Sequence, residues 1–431
     1  MSAGHHPRQR PSPVLRRRAF LARTAGAGLA ASGLGPLLAA CGPLADAAPP
    51  RHLRLAAPNH PITWPISAQN RAIATGLRAE RDATLRVFSW KGHVSPAFLD
   101  AFARRFRCRV QLSTFTELGQ ALASLRGRHG AYDVLLGAPT YLTGRLVGKG
   151  LIQPLNHRYI PNMRNAWRIF TDPYYDSGWR YTVPYTVFTT GIAWRRDLID
   201  ADPYALASGW DFPWVAGQAA GRGKTAILQD YRESISLALL HDGGLDLNAT
   251  DPLLIDNAEQ SLLDLAALTG LRIGNDTSAG LASGRTLIHH GWSGQVAAAA
   301  RLLPRGVAAD VLGYWFPPDG AGPVGNDTGT ILRGAQNPVL AHLFLNFLLD
   351  GQNALVNIAG IGYTQPLDLI TPKRLVYEGI LPASLTSTCV LSTYVDHGLK
   401  ELQLPVAVDE LWIQAWRAVS RVSARRPVST V

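Results

Sequence analysis

Apolar residues in the middle of the chain follow two alternating periodicities. Short apolar runs of strand length alternate with segments in which apolar side chains recur every three or four positions, as at Phe98, Phe102 and Phe106. The short runs predict strands at 84–90, 109–113, 132–136, 225–228 and 286–290. The periodic segments predict helices at 96–106, 118–125, 234–240 and 295–303. This alternation is typical of an α/β fold, for which we expect a mostly parallel sheet with ligand sites at the carboxyl ends of its strands.

The predicted elements form two groups, one before residue 140 and one after residue 220. A chain of 431 residues, 47% apolar and 17% charged, is long and apolar enough for two folded domains. We therefore expect two lobes that face a ligand cleft.

The N-terminus has a different pattern, because a basic segment precedes an apolar one. The Gly- and Ala-rich stretch at 25–40 is shorter than the about 20 residues that a transmembrane helix needs. Arg17-Arg18, followed by Phe20-Leu21, resembles the twin-arginine export signal, and the sequence at 38–41, which ends in Cys41, resembles a lipobox. We expect residues 1–41 to be a signal peptide, Cys41 to carry lipid, and the Pro-rich residues 42–83 to be a tether. The alternative is an ordinary N-terminal helix with a chance cluster of arginines.

Because no later run reaches 18 uncharged apolar residues, we expect the mature domain to be soluble on its tether. Its expected location is the periplasm or the outer face of the cell membrane.

The formal net charge of +11 raises the question of a polyanionic partner. Residues 1–50 contain six arginines, all before Cys41, and one aspartate, so about half of the excess charge would leave with the signal peptide. The remaining basic residues are scattered, and no basic run stands beside aromatic residues that could stack on bases. We therefore expect no nucleic-acid partner.

Motifs for metal, nucleotide or catalytic sites are missing from the sequence. The segment 217–225 fails the P-loop pattern, because five residues rather than four separate Gly217 from Gly223. His289 and His290 are adjacent on a predicted strand, where they point to opposite faces and do not readily share an ion. Cys108 and Cys389 either pair in an oxidising compartment or remain buried thiols. We expect no enzyme, metal or cofactor, with a lipid-anchored hydrolase as the alternative from another class.

Short motifs occur in a fixed order along the rest of the chain. They are Val87-Phe88-Ser89-Trp90, Tyr132-Asp133-Val134-Leu135, Thr140-Tyr141, Lys149-Gly150-Leu151-Ile152-Gln153-Pro154-Leu155, Val183-Pro184-Tyr185, Gly191-Ile192, Leu228-Gln229-Asp230-Tyr231-Arg232-Glu233, Gly291-Trp292-Ser293-Gly294 and Ile361-Gly362-Tyr363. Together they resemble the spermidine/putrescine-binding proteins of ABC importers, across residues 84–372.

The resemblance implies a two-lobe periplasmic-binding-protein fold of type II, in which the chain crosses between lobes near residues 190 and 325. Lobe 1 would comprise 84–190 and 326–372, and lobe 2 would comprise 191–325 and 373–431. It also implies that a monomer captures a polyamine outside the cytoplasm, closes on it, and delivers it to a membrane permease with its ATPase. Another small cationic or amino-acid-like solute is the alternative ligand.

The resemblance further implies a set of ligand-binding residues that suits a polyamine. Carboxylates would bind the ammonium groups, and aromatic faces would lie along the methylenes. These residues are Trp90, Tyr141, Asp230, Glu233, Trp292, Asp327 and Tyr363.

Five of these residues also have a structural interpretation. Asp230 and Glu233 are spaced like the residues that cap the start of a helix, and both roles are compatible. Trp90 and Trp292 follow predicted strands and could cover the ends of a sheet, and Asp327 could belong to a turn.

The chain departs from the family pattern at two places. Where the family often has Trp-Thr-Glu-Tyr, this sequence has Trp90-Lys91-Gly92-His93, which removes an acid and adds a base. An aromatic residue two positions before the last acid is replaced by Gly325. A lysine that faced the cleft would repel a polycation, so the direction of Lys91 bears on the ligand.

Overall fold

The computed structural model describes residues 55–127 and 130–424. Its strands are β1 (Thr84–Trp90), β2 (Arg109–Phe115), β3 (Val134–Pro139), β4 (Thr182–Arg195), β5 (Thr225–Ile227), β6 (Arg272–Ile273), β7 (Ile288–Trp292), β8 (Leu312–Trp315) and β9 (Val324–Ile331). Its helices are α1 (Pro96–Phe106), α2 (Leu118–Gly127), α3 (Thr143–Gly148), α4 (Phe212–Ala216), α5 (Tyr231–His241), α6 (Pro252–Thr269), α7 (Thr277–Ala282), α8 (Ser293–Ala299), α9 (Pro338–Leu348), α10 (Gly351–Ile361), α11 (Pro372–Tyr377), α12 (Ser392–His397) and α13 (Val406–Ala424).

The strands form two groups that share β4. The order β2-β1-β3-β9-β4 makes the sheet of lobe 1, and β4-β7-β5-β6, with β8 on β4, makes the sheet of lobe 2. From Thr182 to Thr189, β4 pairs with β9, and from Thr190 onward it pairs with β7 and β8. The chain therefore passes from one lobe to the other inside a hydrogen-bonded strand.

The sheet is mixed, so the expectation of a mostly parallel sheet is wrong. β1 runs parallel to β2 and β3, and β5 runs parallel to β6 and β7. Every pairing of β4 and β9 is antiparallel. These two strands connect the lobes in opposite directions, which the alternation of predicted strands and helices did not reveal.

Each lobe has its own apolar packing. The helical spacing of Phe98, Phe102 and Phe106 places their rings on one face of α1, against Phe344 and Phe347 of α9. In lobe 2, α13 packs against α5 and α6, and buries Trp412 completely.

The N-terminal arm (residues 55–83) lies on lobe 1. Trp64 is buried, and its Nε1 donates a hydrogen bond to the carbonyl of Tyr175 (2.7 Å). The Glu80 carboxylate accepts the backbone N–H groups of Val339 and Leu340, which begin α9. The expectation of a tether over 42–83 is therefore wrong for 55–83, because apolar anchors outweigh the proline content. Residues 1–54, with Arg17, Arg18 and Cys41, lie outside the described residues.

Two further observations concern the cysteines and the membrane. Cys108 is partly exposed and Cys389 is buried, and both thiols are free. Within the described ranges, no single helix is long and apolar enough to cross a membrane; α9 and α10 together pass by length and composition, but they meet at 82°.

Candidate functional site

A cavity of about 350 Å³ lies between the two sheets, and we call it the interlobe cavity. Lobe 1 contributes Tyr141, which follows β3 at its carboxyl end, and lobe 2 contributes Glu233 from the first turn of α5. The crossing strands supply Phe188 and Thr190 from β4 and the start of β9. The remaining wall includes residues 395–401, whose Leu399 exchanges backbone hydrogen bonds with Gly322 and Val324 beside β9. Strand ends and crossing strands thus bring both lobes to one cavity.

Two carboxylates face this cavity from the side of lobe 2. Trp292, at the end of β7, donates its Nε1–H to Glu233 Oε1 (2.7 Å). Burial raises the pKa of Glu233 well above its usual range, and the neighbouring carboxylates of Glu401 and Asp230 raise it further. Burial also raises the pKa of Glu401 to about 7, although Arg232 opposes the shift.

The charge of Arg232 partly offsets that of Glu401, but the pair has no direct ion-pair partner among the described residues. Glu401 Oε1 is buried and has no hydrogen-bond partner in the described part of the chain. Among the described residues, neither Glu233 nor Glu401 forms an ion pair within 4.0 Å. Two carboxyl groups that repel each other in a partly dry site attract a protonated amine.

Arg232 lies behind this pair but is engaged elsewhere. Its guanidinium donates to the carbonyls of Leu402 (3.0 Å) and Leu247 (2.9 Å) and to Asn248 Oδ1 (2.8 Å). It also lies 4.8 Å from the centroid of the Trp412 ring. The side chain is 1% exposed and therefore holds α5 to the C-terminal region rather than entering the cavity.

Asp230 occupies the position before α5 and caps this helix. Its Oδ1 accepts the backbone N–H groups of Arg232 (2.8 Å) and Glu233 (3.3 Å). Burial nevertheless raises its pKa. Asp230 does not line the interlobe cavity, but its charge raises the pKa of both Glu233 and Glu401.

Lys400 is the basic side chain among the residues that line the interlobe cavity. Its Nζ donates to the carbonyl of Gly398 (2.6 Å), and burial lowers its pKa to about 8. Lys91, by contrast, is exposed and is not part of the cavity lining.

Phe188 takes the place of the aromatic residue that is missing at position 325. The two positions are paired across β4 and β9, and a Cβ atom built on Gly325 would come within 2.3 Å of the Phe188 ring. The absence of a side chain at 325 lets this ring lie at the cavity wall, where it packs edge-to-face at 6.1 Å from Trp292. The wall remains aromatic although the sequence position has changed.

Three of the predicted site residues lie behind the cavity wall. Trp90 donates its Nε1–H to the carbonyl of Gly137 (2.7 Å). Asp327 is buried in β9, with its Oδ2 3.1 Å from His93 Nε2, and the Tyr363 ring packs 4.6 Å from the His93 ring. His93, one of the departures from the family pattern, therefore supplies a partner for the last predicted acid.

Of the predicted site residues, Tyr141 and Glu233 thus line the interlobe cavity, and Trp292 is hydrogen-bonded to Glu233. The structure also adds residues that the sequence did not single out, namely Phe188, Lys400 and Glu401. No sequence motif marks Glu401, which reaches the cavity only because residues 395–401 return to β9. In the described ranges, no group of three or more His, Cys, Asp and Glu side chains could hold a metal ion.

Comparisons with known proteins agree with a ligand cavity between two lobes. A sequence model of the family described as bacterial extracellular solute-binding protein matches residues 97–368. A putrescine/cadaverine-binding protein of Pseudomonas aeruginosa is 25% identical over 325 residues, which cover 73% of this chain and 90% of that protein. The spermidine/putrescine-binding periplasmic protein 1 of Haemophilus influenzae is 28% identical over 320 residues, which cover 73% of this chain and 83% of the relative.

Solved structures show the same fold. A putative spermidine/putrescine ABC transporter protein from Listeria monocytogenes superposes with a TM-score of 0.66 at 20% identity, over 78% of this chain and 98% of the other. The expected two-lobe periplasmic-binding-protein fold is thereby confirmed.

Proposed function

Because the chain belongs to the bacterial extracellular solute-binding protein family, we propose that it captures a polyamine of the putrescine/spermidine class and delivers it to the permease of an ABC transporter. The observation that carries this proposal is the pair Glu233 and Glu401, two cavity carboxyl groups that form no ion pair with any described residue. The names of the P. aeruginosa and H. influenzae relatives point to the same ligand class. Delivery to a permease is typical of the family.

A protonated amine would complete the electrostatics of the site. One ammonium group can donate hydrogen bonds to the carboxylates of both Glu233 and Glu401. Hydrogen bonds to charged groups are worth about 1.5–3 kcal/mol each. Tyr141 and Phe188 supply apolar faces for the methylene chain, and their rings add cation–π attraction of about 0.5–2 kcal/mol per contact.

The seven predicted site residues divide by their distance from this ligand. We propose that Tyr141 and Glu233 contact it, that Trp292 orients Glu233, and that Asp230 acts through its charge. Trp90, Asp327 and Tyr363 do not line the cavity, and we propose that they support the wall of lobe 1 from behind.

We also propose that the lobes divide as 84–190 with 326–372 and 191–325 with 373–431. The change of pairing partner at Thr189–Thr190 of β4 supports the first crossing, and the start of β9 at Val324 supports the second. Residues 383–388 contact α8 and β8, and α13 packs on α5 and α6, which supports placing the C-terminal region with lobe 2. Ligand would then bind both lobes only when they are closed.

Lys400 favours a second candidate ligand, an amino-acid-like solute. A ligand with an ammonium group at one end and a carboxylate at the other could use both the glutamates and the lysine. The pKa of Lys400, although lowered to about 8, leaves this side chain mostly protonated near pH 7, so it can bind a carboxylate there.

A thermal-shift screen of the purified protein tests the ligand class. We expect putrescine, cadaverine or spermidine to raise the melting temperature, because a ligand that binds only the folded state stabilises it by about 2.7 kcal/mol at one hundred times its Kd. Thiamine, a cation, and 4-aminobutyrate, a zwitterion, serve as comparison solutes. A shift with one of these and none with any polyamine would contradict the polyamine assignment.

We further propose that residues 1–41 export the protein through the twin-arginine route and that Cys41 anchors it by lipid. Replacing both Arg17 and Arg18 with Lys should leave the protein in the cytoplasm, as measured by cell fractionation, and Cys41→Ser should abolish labelling by a fatty-acid probe. Arg8→Lys is the matched control, since it changes the same basic region outside the motif. Unchanged export of the double variant would argue for another route.

A further inference from the structure

The tip of the N-terminal arm lies at the interlobe cavity. Ala57 and His60 exchange backbone hydrogen bonds (3.2 and 2.8 Å), which close a turn with Pro58 and Asn59 at its end. We call Ala57–His60 the arm tip. Pro58 is exposed to solvent and also lines the cavity, so the arm tip borders its open side.

Backbone pairing fixes the arm to the loop that forms the wall of lobe 1. Ile62 N–H donates to the carbonyl of Tyr174 (2.9 Å), and Ser177 N–H donates to the carbonyl of Ile62 (2.8 Å). Trp64 is bound to the next carbonyl, that of Tyr175. Both Tyr174 and Tyr175 line the interlobe cavity, so the arm tip cannot move independently of this wall.

The arm also reaches the junction of the two lobes. A Cβ atom built on Gly144 of α3 would come within 3.0 Å of the Trp64 ring and 3.2 Å of Gln403 Oε1. Trp64 therefore fits a space between α3 and the segment that follows Glu401. The family match begins at residue 97, so the arm is an addition to the part of the chain that this match covers.

Two exposed carboxylates stand at the same open side. Asp172 and Asp396 line the cavity and are exposed, whereas Glu233 lies deep in it. Acids therefore occur among both the buried and the exposed residues of the cavity lining, and Pro58 is one of the exposed ones.

We propose that the arm tip is a fixed wall of the ligand site that limits ligand length and selects a diamine over longer polyamines. This inference rests on the proposed function. One ammonium of a diamine would lie at Glu233 and Glu401, and the other would lie near Asp172 and Asp396, beneath Pro58. A tetramine of the same chemistry has further amine groups that meet the arm tip.

Substitutions at two neighbouring prolines test the wall. In the full chain, Pro58→Trp should weaken putrescine binding at least tenfold in calorimetry, because the indole would occupy the mouth. Pro61→Trp is the matched control, since Pro61 is exposed on the same arm but does not line the cavity, and its affinity should remain that of the unaltered protein. Equal affinities in both variants would overturn the proposal.

A deletion tests the limit on length. Removing Pro58 and Asn59 joins Ala57 to His60, which are already hydrogen-bond partners, so the anchors at Ile62 and Trp64 are preserved. The ratio of spermine to putrescine affinity should rise at least tenfold, and an unchanged ratio would overturn the selection of diamines. If the unaltered chain binds no polyamine, the proposed function fails. Pro58→Trp and Pro61→Trp are then compared with whichever screened solute binds. This comparison tests whether the arm tip is a wall of the ligand site, independently of the polyamine assignment.

Discussion

Glu233→Gln is expected to weaken the binding of putrescine by about 10- to 100-fold, which corresponds to about 1.5–3 kcal/mol for one hydrogen bond to a charged group. The substitution preserves shape and removes the charge. The double variant Glu233→Gln with Glu401→Gln should lose measurable binding. Isothermal titration calorimetry of each variant measures the effect, and Glu410→Gln, on the exposed surface of α13, is the matched control.

The same variants should be more stable than the unaltered protein in the absence of ligand. Two neighbouring carboxyl groups with raised pKa values oppose folding when they ionise, so neutral replacements remove a repulsion. Binding would fall while the melting temperature of the empty protein rises, a combination that general damage to the fold does not produce. A loss of both binding and stability would contradict this account of the site.

The pH dependence of the unaltered protein follows from the same two groups. A raised pKa means that the folded protein holds a proton that the unfolded chain releases near its ordinary pKa. Glu401 therefore favours folding at low pH, and this contribution is lost as the pH rises toward about 7. Affinity for a polyamine should increase over the same range, because the carboxylates ionise while the amines stay protonated. The single variant Glu401→Gln should show a flatter affinity profile.

Arg232→Met is expected to lower the free energy of unfolding by at least about 3 kcal/mol, a loss in the range known for disrupted buried charged groups. The substitution keeps most of the apolar stem but leaves the carbonyls of Leu402 and Leu247 without their donor. It also removes the positive charge that lowers the pKa of Glu401. Urea denaturation measures the effect.

The control for this change is Arg222→Met, because Arg222 is exposed and its contact to the carbonyl of Ala267 is long, at 3.4 Å. We expect its effect to stay within about 0.5 kcal/mol, as for most surface substitutions. A loss below about 1 kcal/mol for Arg232→Met would show that Arg232 does not hold α5 to the C-terminal region.

Local periodicity predicted the elements whose packing depends on one apolar face. β1 and α1 occur at the predicted positions, since alternating or helically spaced apolar residues determine which side is buried. The crossing strands β4 and β9 were not predicted. β9 contains Gly325, Asn326 and Asp327, residues that favour turns, and only its pairing with β3 and β4 on either side makes this segment extended.

The candidate site was predictable where it lies near strand ends and not where it depends on the path of the chain. Tyr141 and Glu233 follow strands at the expected edge, so their approach can be read from the order of elements. Glu401 lies far along the chain from both, and no local pattern indicates that residues 395–401 pair with the start of β9. The arm was predicted as part of a tether because of the six prolines between residues 43 and 65, although Ile62 and Trp64 fix its position.

The continuous pairing of β4 gives the protein a particular mechanical character. Since β4 is bonded to β9 up to Thr189 and to β7 from Thr190, no flexible linker separates the lobes. Sliding or separation would break strand hydrogen bonds, whereas bending about the crossing strands would preserve them. The chain consequently keeps the cavity wall that contains Glu233 close to the wall that contains Tyr141. Each wall therefore has a high effective concentration relative to the other. Closure about these strands would therefore lose less entropy than closure of lobes joined by a flexible linker.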